Sequence, residues 1–174
     1  MYTINRKQLT KELKMTVKKD LSKLDLERGY NVLKVVIDRY RCINQIEYKT
    51  SYSAPNNYQE MLSSYKELGY FEVYRGGDHG HLGEIYNTKF RAVHDYMHIK
   101  HNLTFKYEDE KKLSDITILE FRTIAQELGF RYEVRKILGA IINAEIRGQI
   151  EFYEINKEYV PDQKTFINDY LKVG

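Results

Sequence analysis

Apolar residues recur at helical spacing along most of this chain. Leu9, Leu13, Val17, Leu21 and Leu24 form one stripe, with polar residues between them, and predict an amphipathic helix from about Asn5 to Leu24. Val32, Val35, Val36, Tyr40 and Ile43 predict a second helix within Gly29 to Ile46. Ser53, Ala54, Pro55 and Asn56 read as a loop leading into a third helix, Tyr58 to Leu68, which Gly69 closes. Residues 70–74, Tyr-Phe-Glu-Val-Tyr, read as a short extended piece. A helix opening near Asn87 or Thr88 ends at Asn102, and a loop carrying Glu108, Asp109 and Glu110 precedes another from Leu113 to Leu128, stopped by Gly129. Ile137, Leu138, Ile141, Ile142, Ile146 and Ile150 mark a helix from about Tyr132 to Asn156, and Pro161 opens a last short one. The predicted fold is mostly α: a helical bundle forming a single domain over 1–174, with room for a short strand or hairpin near residues 70–75. Residues 1–70 make an N-terminal helical part and 85–170 the part with the candidate chemistry.

Composition narrows the class. At 174 residues, 42% hydrophobic and 30% charged, the chain has the make-up of one globular domain with a real core. No apolar run is long enough for a membrane span and no secretory leader pattern opens the chain, so a cytoplasmic location without membrane contact is expected. The single cysteine, Cys42, excludes an internal disulfide framework, suits a reducing compartment and is expected to be buried as a small apolar residue. The net charge is +3, with Arg6, Lys7, Lys11, Lys14, Lys18, Lys19 and Lys23 crowded near the start against Glu12 and Asp20. A solvated helix face explains this crowding better than a nucleic-acid surface, for which it is weak support.

The chemistry is concentrated. All five histidines fall between His79 and His101, and His94, His98 and His101 recur at i, i+4 and i+7 with Asp95 beside the stripe. That spacing stacks imidazoles down one helix face. Imidazole with carboxylate is the usual ligand set of a borderline divalent metal such as Mn, Fe, Zn or Ni. Glu145 and Gln149 lie one turn apart in an otherwise apolar helix, so Glu145 is expected to point inward, where a carboxylate needs a cation or strong hydrogen bonds. The stretch 76–83 holds four of the ten glycines and also His79 and His81, but lacks the spacing of a phosphate-binding loop. His79, His81 and His101 are read as lying outside the site.

The segment from Asn87 to His98, containing Phe90-Arg91-Ala92-x-His94-Asp95-x-x-His98, is followed by Phe105 and Glu110, then Ala144-Glu145 and Gly148-Gln149, then Phe152-Tyr153, Pro161-Asp162-Gln163 and Phe166. In combination these resemble a family of small uncharacterised proteins encoded by tailed bacteriophages, with a FRAxHDxxH … E … AExxGQ core, over roughly the C-terminal half. The resemblance implies a phage origin, hence the cytoplasm of an infected bacterial host. It also implies a shared polar site of His94, Asp95, His98, Glu110, Glu145 and Gln149; it implies no reaction. The His94-Asp95 doublet with His98 is also similar to the metal helix of HD-type phosphohydrolases. There a further His on an earlier helix and an Asp on a later one are needed, and Asp115, Asp162 and Asp169 are not convincingly placed for the second. Asp95-x-x-His98 is similar to half of a ferritin-like di-metal site, but Gly148 stands where the second His belongs.

The expected function is a metal-dependent hydrolase acting on a phosphorylated small molecule or nucleotide. His94, His98 and a carboxylate from Asp95, Glu110 or Glu145 would hold the metal, with Glu110 or Glu145 as general base, Gln149 assisting cofactor binding and Arg91 facing the substrate anion. The alternative is a non-enzymatic phage protein that binds a host or viral protein, its His/Asp/Glu cluster being a buried structural network.

Overall fold

A computed structural model describes residues 20–174. Most of the predicted helix over 5–24 lies outside these residues. Its end does not survive: Asp20 has φ of 79°, and a new helix, α1 (Lys23–Asn44), starts just after it. Ser22 caps α1, accepting from the Asp25 N–H at 3.1 Å and donating to the Asp25 carboxylate at 2.9 Å. The buried stripe of α1 runs Leu26, Tyr30, Leu33, Ile37, Tyr40, at alternating steps of four and three. Leu21 is buried, but Leu24 falls off this stripe and is 63% exposed, against the expectation of burial. Val35, Ile43 and Cys42 are likewise exposed, so the predicted burial of Cys42 is corrected by the same helical phase.

β1 (Tyr48–Ser51) and β2 (Phe71–Tyr74) are joined by α2 (Tyr58–Leu68), whose bounds are those predicted. Asn57 accepts from the Glu60 N–H at 3.0 Å to start α2, and Gly69, at φ 74°, ends it. The strand expected near 70–75 is present, but the pairing is parallel, Tyr48 opposite Phe71 through Ser51 opposite Tyr74, rather than a hairpin. Parallel strands need a crossover, and α2 supplies it. Phe71 and Val73 point into the core from β2.

α3 (Gly83–His101) starts a turn earlier than predicted and ends, as predicted, at Asn102 in the left-handed conformation. α4 (Tyr107–Glu127) takes in the acidic turn read as a loop: Glu108, Asp109 and Glu110 are its first turn. Three carboxylates there complement the positive end of the helix dipole. Asp109 also accepts from the Thr104 N–H at 3.0 Å and the Thr104 hydroxyl at 2.7 Å, fixing the entry.

α5 (Tyr132–Asn143), a π-helical turn (Ala144–Gly148) and α6 (Gln149–Asn156) make up the long helix predicted from Tyr132 to Asn156. α7 (Gln163–Leu171) closes the described chain, capped by Asp162 and tied to the glycine-rich loop, where Asp78 accepts from the Gln163 N–H at 2.7 Å. Leu33, Val36 and Ile37 from α1, Val93 and Met97 from α3, Leu113 and Phe121 from α4 and Leu138, Ile141 and Ile142 from α5 form one core. The chain is a mostly α single domain. Among the described residues no helix is long and apolar enough to cross a membrane.

Gly29 lets α1 lie against α5, because a Cβ there would collide with Ile137 and Ile141. Gly29→Val is expected to lower unfolding stability by about 1–3 kcal/mol through overpacking. Urea denaturation followed by circular dichroism measures this, and an unchanged midpoint would show that the helices are not in tight contact.

Candidate metal centre

His94 and His98 lie one turn apart on α3, and the first turn of α4 brings Glu110 up to both. His94 Nε2 is 3.1 Å from Glu110 Oε2, and His98 Nε2 is 3.2 Å from Glu110 Oε1. The imidazole rings meet edge to face with centroids 4.5 Å apart. One ligand atom from each residue falls within 4.8 Å of the others, which makes this a group that could hold a metal ion. His98 is fully buried and Glu110 nearly so, while the His94 side chain keeps 23% of its surface. The α3–α4 connection sets this geometry: the left-handed turn at Asn102 carries the Leu103 carbonyl to His98 Nδ1 at 3.0 Å, and Phe105 packs on the His98 ring at 4.7 Å.

The Leu103 carbonyl can only accept, so His98 Nδ1 must carry a hydrogen. Its Nε2 then faces Glu110 with a lone pair or with a second hydrogen. That buried atom makes no hydrogen bond of acceptable angle, despite its closeness to Glu110 Oε1. A backbone carbonyl that fixes one ring nitrogen while the other stays free is the usual support of a metal-ligating histidine. The electrostatics are those of a strongly compensated buried charge. Burial by itself would lower the His94 pKa, but the Glu110 charge and hydrogen bond, with the nearby Asp95 carboxylate, outweigh it and push it up to about 10. Burial would raise Glu110, yet the two imidazoles hold it down to about 2.

Asp95 stands beside this group, its Oδ1 4.0 Å from His94 Nδ1. It lines a cavity of about 140 Å³ with Glu72, Tyr74, Arg91, Met61 and Phe105. Arg91 Nη1 donates to the carbonyls of Tyr74 at 2.6 Å and Gly76 at 2.9 Å, so it fastens β2 and the glycine-rich loop to α3. A larger hollow of about 350 Å³, along Leu24, Val32, Val35 and Phe130, holds none of the predicted site residues.

Glu145 and Gln149 are not brought into the group. Glu145 faces α1, where one carboxylate oxygen accepts from the Tyr30 hydroxyl and the other from Gln149 Nε2 at 2.8 Å. Its side chain does reach the interior as expected, and burial pushes its pKa up to about 7 despite these two donors. Arg147 explains the direction: it pairs with Asp115 at 2.9 Å and donates to the Lys111 carbonyl, taking the face toward α4. A residue two positions earlier cannot share that face. Gln149 is thus the partner of Glu145.

The remaining histidines have other partners: His79 meets Asn87 at 3.2 Å, His81 meets Asn168 at 2.9 Å and stacks on Tyr30, and His101 meets Glu120 at 3.0 Å. Glu120, which sequence reading missed, also accepts from Tyr40 at 2.6 Å and Lys100 at 2.8 Å. Nothing in its local sequence marks it, because its partners come from α1 and α3. Comparison with protein-family models, curated proteins and solved structures returned no match to this chain.

The raised pKa of Glu145 has a sign for stability. The folded state favours its protonated form, so that contribution is complete below the ordinary value of 4.5 and is lost as pH rises through about 7. Wild type is expected to lose about 1–3 kcal/mol between pH 5 and pH 8 relative to Glu145→Gln, which mimics the neutral acid. Urea titrations of both proteins at the two pH values measure the difference, and parallel pH dependence would rule the assignment out.

Proposed function

We propose that the chain is a metal-dependent hydrolase in which His94, His98 and Glu110 hold one divalent ion of the Mn, Fe, Ni or Zn type. The observation that carries this reading is the convergence of one ligand atom each from His94, His98 and Glu110 within 4.8 Å, with the His98 ring fixed from behind by Leu103. Two imidazoles and one carboxylate from the protein leave coordination positions for water and substrate, as catalytic rather than structural sites do. When bound, such an ion supplies a Lewis acid that makes hydroxide available near neutral pH.

The roles of the chain's own residues divide cleanly. Glu110 has one oxygen toward each imidazole, which suits a ligand and leaves it no free oxygen for a base. Asp95, at the cavity wall beside His94, would be the carboxylate to take a proton from water. Glu145, bonded to Tyr30 and Gln149, takes no part in this scheme. The phage-family resemblance of the sequence adds an origin, a bacteriophage, and a place of action, the infected bacterial cytoplasm.

A second reading has its own support. With a proton in place of the ion, the His94–Glu110 hydrogen bond closes the triad as a buried network, which suits a phage protein whose task is to bind a host or viral protein. The two readings differ in metal content. Untagged protein is expected to carry about one equivalent of metal by mass spectrometry, and chelation should lower its melting temperature by several degrees, as removal of a ligand specific to the folded state does. Glu110→Gln and His94→Asn should stay folded while losing the metal. Metal-free protein, with a melting temperature indifferent to chelator, would leave the structural network as the function of the triad.

A further inference from the structure

The cavity beside the candidate metal centre has its own chemistry. Its charged lining residues among those described are Glu72 from β2 and Asp95 and Arg91 from α3; Tyr74, Met61 and Phe105 also line it. Arg91 is the one cation among the described residues lining it, and that guanidinium already has Nη1 on two carbonyls. Asp95 and Arg91 attract each other across one helical turn. That leaves Glu72, whose one hydrogen-bond partner among the described residues is the Ser64 hydroxyl at 3.1 Å. No lysine, arginine or histidine forms an ion pair with it among these residues. Among the described residues the lining therefore carries a net negative charge and includes two aromatic residues.

A phosphate dianion entering here would meet two carboxylates and a committed guanidinium, so the phosphorylated substrate expected from the sequence is poorly matched. At about 140 Å³ the space is about that of a cavity that takes one benzene ring. We infer that this cavity binds a small organic ammonium group, held between the Glu72 and Asp95 carboxylates against Tyr74 and Phe105, and that it is the substrate subsite of the adjacent centre. Carboxylates and aromatic faces together are the usual recognition chemistry of such a cation. The term "substrate" rests on the hydrolase reading; the binding itself does not.

The experiment titrates n-butylamine, protonated at pH 7, into the full-length protein and follows amide shifts by NMR, with 1-butanol and inorganic phosphate as comparators. The expected result is saturable binding of butylamine that perturbs residues 72–74, 91–95 and 105, at least tenfold tighter than 1-butanol, with no saturable binding of phosphate. Glu72→Gln should weaken butylamine at least tenfold and leave 1-butanol unchanged; Asp95→Asn serves as the second variant should Glu72→Gln fail to fold. Equal affinity for butylamine and 1-butanol, absence of binding, or preferential binding of phosphate would each overturn the proposal. Metal analysis of the untagged protein as purified, beside this titration, separates the two readings. Butylamine bound by a protein that holds no metal keeps the cavity and removes the metal centre, whereas stoichiometric metal without butylamine binding does the reverse.

Discussion

The carboxylate of Glu110 is the constraint around which the site is built. A buried anion has to be compensated where it stands, and here each of its oxygens has its own imidazole, with the start of α4 adding the positive end of a helix dipole. The compensation works only if α3 ends where it does. The left-handed turn at Asn102 brings Leu103 back over His98, Thr104 and Asp109 fix the start of α4, and Phe105 fills the space between. Moving this connection by one residue would place a different side chain against the two histidines.

α4 repeats the arrangement at intervals. Glu110, Asp115 and Glu120 are five residues apart, and each five-residue step turns the side chain by about 140° around the helix. The three carboxylates therefore face three different neighbours: the histidines of α3, Arg147 on the π-helical turn, and the Tyr40, Lys100 and His101 set from α1 and α3. Each ties α4 to another element through a polar contact set in an apolar surround. Glu145 does the same from the π turn toward Tyr30 of α1. The apolar core gives the bundle cohesion, and these pairs specify which helix lies beside which.

What the sequence made legible was local. Gly69 ends α2, Asn102 closes α3 and Gly129 follows α4, because helix ends and left-handed positions are read over four or five residues. The stripe of His94 and His98 was readable for the same reason. The start of α1 was readable in principle from Ser22 and Asp25, but a leucine pattern running through Leu21 and Leu24 masked it. The parallel pairing of residues 48–51 with 71–74 depends on register between distant segments and left no local mark. Glu145 illustrates the harder case. A π-helical turn holds an extra residue, so the face that an unbroken α-helix would give Glu145 is shifted, and Arg147 takes the position toward α4 instead.

The same geometry serves a proton or a cation, and the difference lies in what surrounds it. A purely structural triad gains from being sealed, since water competes for each of its hydrogen bonds. Here His98 is sealed but His94 keeps part of its surface, and the neighbouring Asp95 forms the wall of a cavity. Arg91, one turn earlier, uses its guanidinium to hold the carbonyls of Tyr74 and Gly76, so the strand and loop bordering that cavity are fastened to the helix that carries the histidines. On the proposed reading, this half-open site with an acidic wall would meet what a bound ion and a small substrate require of the groups around them.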